Sequence, residues 1–235
     1  MKILAVIPAR SGSKRIPGKN IRLLGGIPLI EWTIKSIKDV SDICDILVST
    51  DGQDIADIAV SLGALVPWLR PKKLATDISS SVDVAIHAID WYEEKISLLD
   101  GILFLQPTTP FRNKKSIIKG LELFKNNPNS SIIGVSPVAD HPYWTYKISD
   151  KLLDPYIKNI KREVRSQDLE PAYVINGSLY LISPKLLRLK KSFFIRESLP
   201  LIIESKNETL DLDDLDDWEM AENILKNRSI ENTIK

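Results

Sequence analysis

Ile3-Leu4-Ala5-Val6-Ile7-Pro8, followed by Ala9-Arg10-Ser11-Gly12-Ser13-Lys14, passes from an unbroken apolar run into small and basic residues. A short β-rich run that stops at proline reads as a buried strand, and the residues after it as a loop at its carboxyl end. Working outward, the pattern alternates. Pro28–Lys38 carries a helical stripe at Leu29, Ile30, Ile34 and Ile37. Residues 45–49 read as a strand, 54–62 as a helix ended by Gly63, and Val66 as the close of a third short strand. Residues 82–94 read as a helix with Ser80 and Asp83 at capping-box spacing. Residues 101–105 predict a strand, 114–125 a helix and 131–136 a strand. Such repetition predicts an α/β fold, a three-layer, doubly wound and mostly parallel sheet covered on both faces. Ligands of such sheets bind beyond the carboxyl ends of the strands, so the loops of interest start at Ala9, Thr50, Gln106 and Pro137.

The alternation fails across residues 137–175, which hold Pro137, Pro142, Pro155 and Pro171 and show no clean period. An irregular stretch of this length predicts a functional or interaction segment. Strands are expected again at 178–182, 201–203 and 209–213, then a terminal helix over 215–226.

Composition narrows the classes. The 235 residues carry 32 Lys+Arg against 31 Asp+Glu, a formal net charge of +1, and 43% are hydrophobic. That excludes disorder and argues against a nucleic-acid binder, which needs excess positive charge over a face. A single cysteine, Cys44, excludes an internal disulfide and a cysteine-based zinc site. No leader or membrane-length apolar run is visible, so a soluble cytoplasmic protein with no membrane partner is the expectation.

The even charge balance hides two poles. No acid precedes Glu31, whereas Lys2, Arg10, Lys14, Arg15, Lys19 and Arg22 are basic. Between Glu204 and Glu222 nine acids are interrupted only by Lys206. Small residues in the 9–13 stretch let backbone N–H groups approach an anion, and Arg10 and Lys14 add charge, which suits a triphosphate. The loop is not a P-loop: five residues separate Gly12 from Gly18, and Lys19 precedes Asn20. In Leu210-Asp211-Leu212-Asp213 the acids alternate with leucines and so share one face of an extended chain. Two adjacent carboxylates call for a cation, and hard oxygen ligands completed by phosphate describe Mg²⁺. Asp214, Asp216 and Asp217 are accounted for by the start of the following helix.

Taken together, these motifs resemble the N-acylneuraminate cytidylyltransferases (CMP-sialic acid synthetases). Besides the opening loop through Lys19-Asn20, the matching segments are Arg70-Pro71 with Leu74-Ala75 and Asp77, then His87-Ala88, and Gln106-Pro107-Thr108-Thr109-Pro110-Phe111-Arg112. Arg165-Ser166-Gln167-Asp168-Leu169, Asn176-Gly177 with Tyr180, and Asp211-Leu212-Asp213 with Asp217 follow in the family's order. The resemblance spans about residues 3–225 and implies a Rossmann-like nucleotidyltransferase. The activity implied is transfer of CMP from CTP to the anomeric hydroxyl of an acidic nine-carbon 2-keto-3-deoxy sugar, with Mg²⁺ and release of pyrophosphate. It further implies CTP contacts from Ala9, Arg10, Ser11, Gly12, Ser13 and Lys14, with Asn20, Arg70 and Ser81 around cytosine and ribose. Gln106, Thr108, Arg165, Gln167, Tyr180, Phe193 and Phe194 would face the sugar. Arg10, Lys14, Asp211 and Asp213 would carry the catalysis, the two aspartates as metal ligands. The implied organisation is a catalytic domain of residues 1–136 plus 176–235, with 137–175 as a dimerisation arm and a homodimer as the assembly.

Departures shift the expected acceptor. Ser166 stands where many relatives carry Arg or Gln, and Thr109 and Phe111 replace Ser and Leu. Arg15-Ile16-Pro17 is similar to the bacterial branches that use legionaminic or pseudaminic acid. A ketodeoxyoctonate-type cytidylyltransferase, a glycosyltransferase using an Asp-x-Asp metal motif, and a degenerate nucleotide-binding homologue are the competing readings. His87 is read as a packed residue, not a base.

Overall fold

The computed structural model describes residues 1–76, 78–158 and 165–233; Asp77 of the Arg-Pro segment lies outside the described residues. Its elements are β1 (Ile3–Pro8), β2 (Leu23–Leu24), β3 (Ile27–Pro28), α1 (Leu29–Ile37), β4 (Ile43–Ser49), α2 (Gln53–Ser61), α3 (Ser81–Lys95), β5 (Gly101–Phe104), α4 (Lys114–Asn126), β6 (Ile132–Pro137), β7 (Tyr146–Ser149), β8 (Leu152–Pro155), β9 (Tyr173–Ile182), α5 (Pro184–Lys190), β10 (Leu199–Ile202) and α6 (Leu215–Thr233).

Six strands form the main sheet in the order β10-β6-β9-β5-β1-β4. β1 runs parallel to β4 and β5, and β10 parallel to β6. β9 alone reverses, antiparallel to both β5 and β6. The alternation of side chains along β1 explains the layers. Ile3, Ala5 and Ile7 pack with Ile30, Ile34, Ile55, Ala59, Ile117 and Phe124, from α1, α2 and α4. Leu4 and Val6 point the other way, against Val84, Ala88, Ile89 and Tyr92 of α3 and Leu187 of α5. Both faces of the sheet are thus buried, as the unbroken apolar runs require.

Phe124 closes the first of these layers. It is 1% exposed, and a Cβ added at Gly101 would come within 2.7 Å of its ring. Phe124→Ala should destabilise the fold by about 3–5 kcal/mol, the cost of a large buried cavity. Denaturant unfolding measures this, and a loss below about 1 kcal/mol would mean that the layer collapses around the gap.

Helix starts follow local chemistry. Ser80 Oγ caps α3 by accepting from Val82 N–H (3.1 Å), and Asn113 Oδ1 caps α4 by accepting from Lys115 N–H (2.9 Å). Asp214 Oδ1 accepts from the amides of Asp216 and Asp217, while Asp217 Oδ2 accepts from those of Asp213 and Asp214. This reciprocal arrangement confirms the capping role read for Asp214 and Asp217.

Two expected strands are not formed. Residues 209–213 lie outside the sheet: a turn ends at Thr209, and among the described residues the backbone link from 210–213 to the loop after β5 is Leu212 N–H to Thr108 C=O at 2.8 Å. The alternation that suggested a strand survives, because Leu212 is wholly buried while Asp211 is exposed. Near Val66 there is a single parallel bridge, Leu47 with Leu65, where Gly63 has already turned the chain. Between residues 137 and 173, β7 and β8 pair as an antiparallel hairpin. The chain leaves the sheet at Pro137 and rejoins it at Tyr173, which are register partners.

Candidate active site

A cavity of about 530 Å³ opens beyond the carboxyl ends of β1 and β5. Its walls include Arg10, Ser13, Lys14, Arg15, Lys19 and Asn20 from the first loop, and Arg70, Thr76, Ser79 and Ser81 from the segment leading into α3. Gln106, Pro107 and Thr108 follow β5, and Asp213 comes from the acidic segment.

A small apolar cluster brings these distant segments together. Ile16 of the basic loop, Phe111 after the Gln106 turn, Leu212 between the two aspartates, and Trp218 and Ala221 of α6 pack as one group with Leu24 and Leu29. Burying Ile16 and Leu212 side by side leaves their charged neighbours facing each other. Lys19 Nζ donates to Leu212 C=O at 2.7 Å, and Arg15 Nη1 lies 3.2 Å from Asp213 Oδ2. Burial lowers the Lys19 pKa from the usual lysine range, while Asp213 and Asp211 push it back up. The two poles of the sequence therefore meet at one place.

The basic loop is tied down at both ends. Asn20 is buried, and its Nδ2 donates to Arg10 C=O at 2.8 Å. Ser11 donates its amide to Asp51 Oδ1 (2.8 Å) and its hydroxyl to Asp51 Oδ2 (2.9 Å). Ser11 is thereby taken up by Asp51 and does not line the cavity; nor do Gly12, which is exposed, and Ala9, which is wholly buried. Arg70 is also buried. It donates from Nε to Ser49 Oγ at 3.0 Å and from Nη2 to Ser49 C=O. Burial lowers its pKa to about 10, with Asp51 opposing, so it remains cationic at neutral pH.

Gln106 and Asp211 both approach Gly177. This glycine has φ +68°, which L side chains rarely adopt, and an added Cβ would lie 2.9 Å from Gln106 Oε1 and 4.0 Å from Asp211 Oδ2. Tyr180 faces Asp211 as well: burial first, then that carboxylate, raises its pKa. Its ring contacts Phe193 (5.3 Å between centroids) and Phe194 (5.8 Å). Phe193 is a core residue packed on Phe104, whereas Phe194 is half exposed; neither of them lines the cavity, nor do Tyr180 and Asp211, which lie behind its wall. Arg165 and Gln167 are exposed and stand apart from the cavity wall. His87 packs edge-on against Trp68 at 4.7 Å, as a structural residue does.

Four residues carry contacts at or behind the site without having been given a site role from the sequence: Lys19, Arg15, Asp51 and Arg112. Lys19, Arg15 and Arg112 sit inside motifs quoted above, and their charge in those motifs was the signal available. Asp51, forty residues from Ser11, left no local signal.

Residues 4–168 match the family model described as cytidylyltransferase. The chain belongs to the cytidylyltransferase family. It is therefore a nucleotidyltransferase, as the motifs implied. This cytidylyltransferase is 40% identical over 232 residues to the CMP-N,N'-diacetyllegionaminic acid synthase of Legionella pneumophila, covering 96% of this chain and 97% of that protein. It is 30% identical over 227 residues to a pseudaminic acid cytidylyltransferase of Campylobacter jejuni, with 96% and 97% covered. Its fold matches a solved structure of CMP:2-keto-3-deoxy-manno-octonic acid synthetase complexed with CTP, with a TM-score of 0.71 and 15% identity over 97% of this chain and all of that one. The likeness supports the doubly wound nucleotidyltransferase fold. Among the described residues no helix is long and apolar enough to cross a membrane.

Proposed function

We propose that this cytidylyltransferase transfers CMP from CTP to the anomeric hydroxyl of a nonulosonic acid, with an N,N'-diacetyllegionaminic-type sugar as the first candidate acceptor. The observation that carries this reading is the shared cavity: cations of the opening loop, the Gln106–Thr108 turn and the acidic segment border one space of nucleotide size. The family match and the full-length likeness to a legionaminic acid synthase support it.

In this mechanism the anomeric oxygen attacks the α-phosphorus in line, the bond to the bridging oxygen breaks, pyrophosphate leaves, and the hydroxyl proton passes to water. The protein's part is positioning and charge neutralisation. Arg10, Lys14 and Lys19 neutralise the triphosphate. Asn20, Arg70 and Ser81 hold the nucleoside end, with Arg70 fixed by its bonds to Ser49. Gln106, Thr108 and Tyr180 orient the sugar.

Among the described residues no cluster of three or more His, Cys, Asp or Glu forms a preformed metal site. Asp211 and Asp213 nevertheless fit a hard divalent cation whose other ligands are phosphate oxygens and water. Asp213 is now paired with Arg15, so a cation taken up there would displace that guanidinium. Mg²⁺ bound there would supply charge neutralisation to the phosphates and a lowered pKa to a bound hydroxyl.

The unit spanning residues 137–175 is assigned to dimerisation, with 1–136 and 176–235 as the catalytic domain. Ile148 and Leu153 of the hairpin are 78% and 70% exposed, and Leu152, Tyr156, Val174 and Ile175 are exposed beside them or at the hairpin's return. An apolar patch of this kind is the sort of surface that another chain covers, and a second copy of this chain is the proposed cover. Arg165 and Gln167 would then serve the partner's sugar site. Ile148→Asp combined with Leu153→Asp should yield a monomer by light scattering; an unchanged dimer would remove the arm from the interface.

Pyrophosphate release with CTP and a panel of N-acetylneuraminic, legionaminic, pseudaminic and ketodeoxyoctonic acids tests the reaction. Release with a nonulosonic acid upholds it. Release only with the eight-carbon acid, or CTP binding without turnover on any acceptor, would overturn it.

A further inference from the structure

Arg112 is outside the cavity wall and only 7% exposed, yet its guanidinium joins three separate segments. Nε donates to Ser178 C=O on β9, Nη1 to Thr33 Oγ1 on α1 at 3.1 Å, and Nη2 to Gln106 C=O and Thr109 Oγ1. Burial lowers its pKa to about 9, while Asp211 and Glu208 oppose that, so the group is cationic at neutral pH. Glu208 is itself buried and accepts from Asn113 N–H at 3.0 Å, next to Arg112 in the chain.

The turn held by Arg112 is also the turn from which the acidic segment hangs. Thr108 C=O accepts from Leu212 N–H at 2.8 Å, and Leu212 C=O accepts from Lys19 Nζ at 2.7 Å. A chain of direct contacts thus runs from the buried guanidinium through the Gln106–Thr109 turn to Asp211, Asp213 and the basic loop. A planar group with five donors can serve three segments at once; a lysine ammonium supplies the charge without that fork.

We propose that Arg112 is a positioning residue for nucleotidyl transfer, fixing the Gln106–Thr109 turn and the Asp211–Asp213 segment at one spacing, so that the acceptor side and the carboxylates address the α-phosphate together. This rests on the reaction proposed above. It differs from mere stabilisation in what it predicts: the transfer step suffers while CTP binding, made largely by the opening loop and Arg70, does not.

The decisive variant is Arg112→Lys in the full chain. Its kcat should fall about 10- to 100-fold, the scale expected for displacement of reacting groups by a fraction of an ångström to one ångström. CTP affinity by calorimetry without acceptor should stay within about threefold of wild type. Amide exchange should accelerate across residues 106–112 and 208–214 and stay unchanged in β1 and β4. A wild-type kcat with wild-type exchange would overturn the proposal. So would a parallel loss of kcat and CTP affinity together with faster exchange throughout the sheet. Should Arg112→Lys fail to fold, Thr109→Val removes two bonds of the turn at nearly constant volume, the one Thr109 Oγ1 accepts from Arg112 and the one it donates to Gln106 C=O, and should lower kcat about three- to tenfold at unchanged CTP affinity; an unaltered kcat would overturn the proposal. If the wild-type protein turns over no nonulosonic acid, the reaction fails on its own account. The exchange pattern of Arg112→Lys then decides, and unchanged protection at residues 106–112 and 208–214 refutes the positioning role.

Discussion

Asp211→Asn should lower turnover by at least about 10²-fold, the usual cost of deleting a preorganised charge from a reaction centre. The substitution keeps the size and much of the hydrogen-bonding capacity of the side chain, so what is lost is its charge. That charge acts on every group of interest nearby: it raises the pKa of Lys19, Arg112 and Tyr180. Asp211 is also exposed, whereas the flanking Leu212 anchors the segment in the apolar cluster. The variant should therefore fold and bind CTP, and the loss should appear in kcat. Pyrophosphate release at saturating CTP and acceptor, with Mg²⁺ titrated upward, is the measurement. Turnover within about threefold of wild type at low as well as high Mg²⁺ would remove Asp211 from the metal site, because a carboxamide binds a hard cation far less well than a carboxylate and a weakened site recovers only when Mg²⁺ is raised.

The reading of Asp211 rests on a periodicity that outlived the strand assigned to it. The alternation of Asp211, Leu212 and Asp213 suggested a strand. The chain there is extended but makes no ladder, because Leu212 is held by the apolar cluster and by one bond to Thr108. Burial of alternate residues needs an extended backbone, not a sheet, so the burial of Leu212 between two more exposed acids was legible while their strand was not. The strands β1, β4, β5 and β6 were legible for the opposite reason. β1 and β5 are apolar and buried nearly throughout, and β4 and β6 each carry a buried apolar stretch, Leu47-Val48 and Ile132-Ile133, so local sequence sufficed. The reversal of β9 was not, since a strand's direction is fixed by how the chain returns from the β7–β8 hairpin and leaves no mark in its own residues.

The site divides in the same way. Arg10, Lys14, Asn20, Arg70, Gln106 and Asp213 lie on loops at the carboxyl ends of strands or on the acidic segment, where the fold class already directed attention. Asp51 and Arg112 act through contacts spanning 40 and up to 79 residues of sequence. Such contacts are products of topology. They became visible only when β4 was laid beside β1 and α1 beside α4.

Lys19→Met should reduce kcat/KM for CTP by about 10²- to 10³-fold, the range expected for loss of a charged donor aimed at a phosphate in a partly dry site. Lys19 stands where the two poles of the protein meet. Its ammonium is half buried, which lowers its pKa, and Asp213 and Asp211 keep it charged against the added repulsion of Arg15 and Arg10. Only one of its three protons is engaged in the bond to Leu212 C=O. The others are available on a cavity wall shared with Arg10, Lys14 and Arg15. A triphosphate arriving there would be met by a cation whose position is set by the same backbone carbonyl that lies between Asp211 and Asp213. Methionine matches the aliphatic stem, so packing is retained and the charge alone is removed. Arginine at the same position keeps the charge in a larger planar group and should restore part of the activity. Initial rates of pyrophosphate release across a range of CTP concentrations separate the outcomes. A Lys19→Met enzyme within about threefold of wild-type kcat/KM would show that the ammonium serves only to strap the acidic segment to the opening loop, leaving Arg10 and Lys14 to neutralise the phosphates.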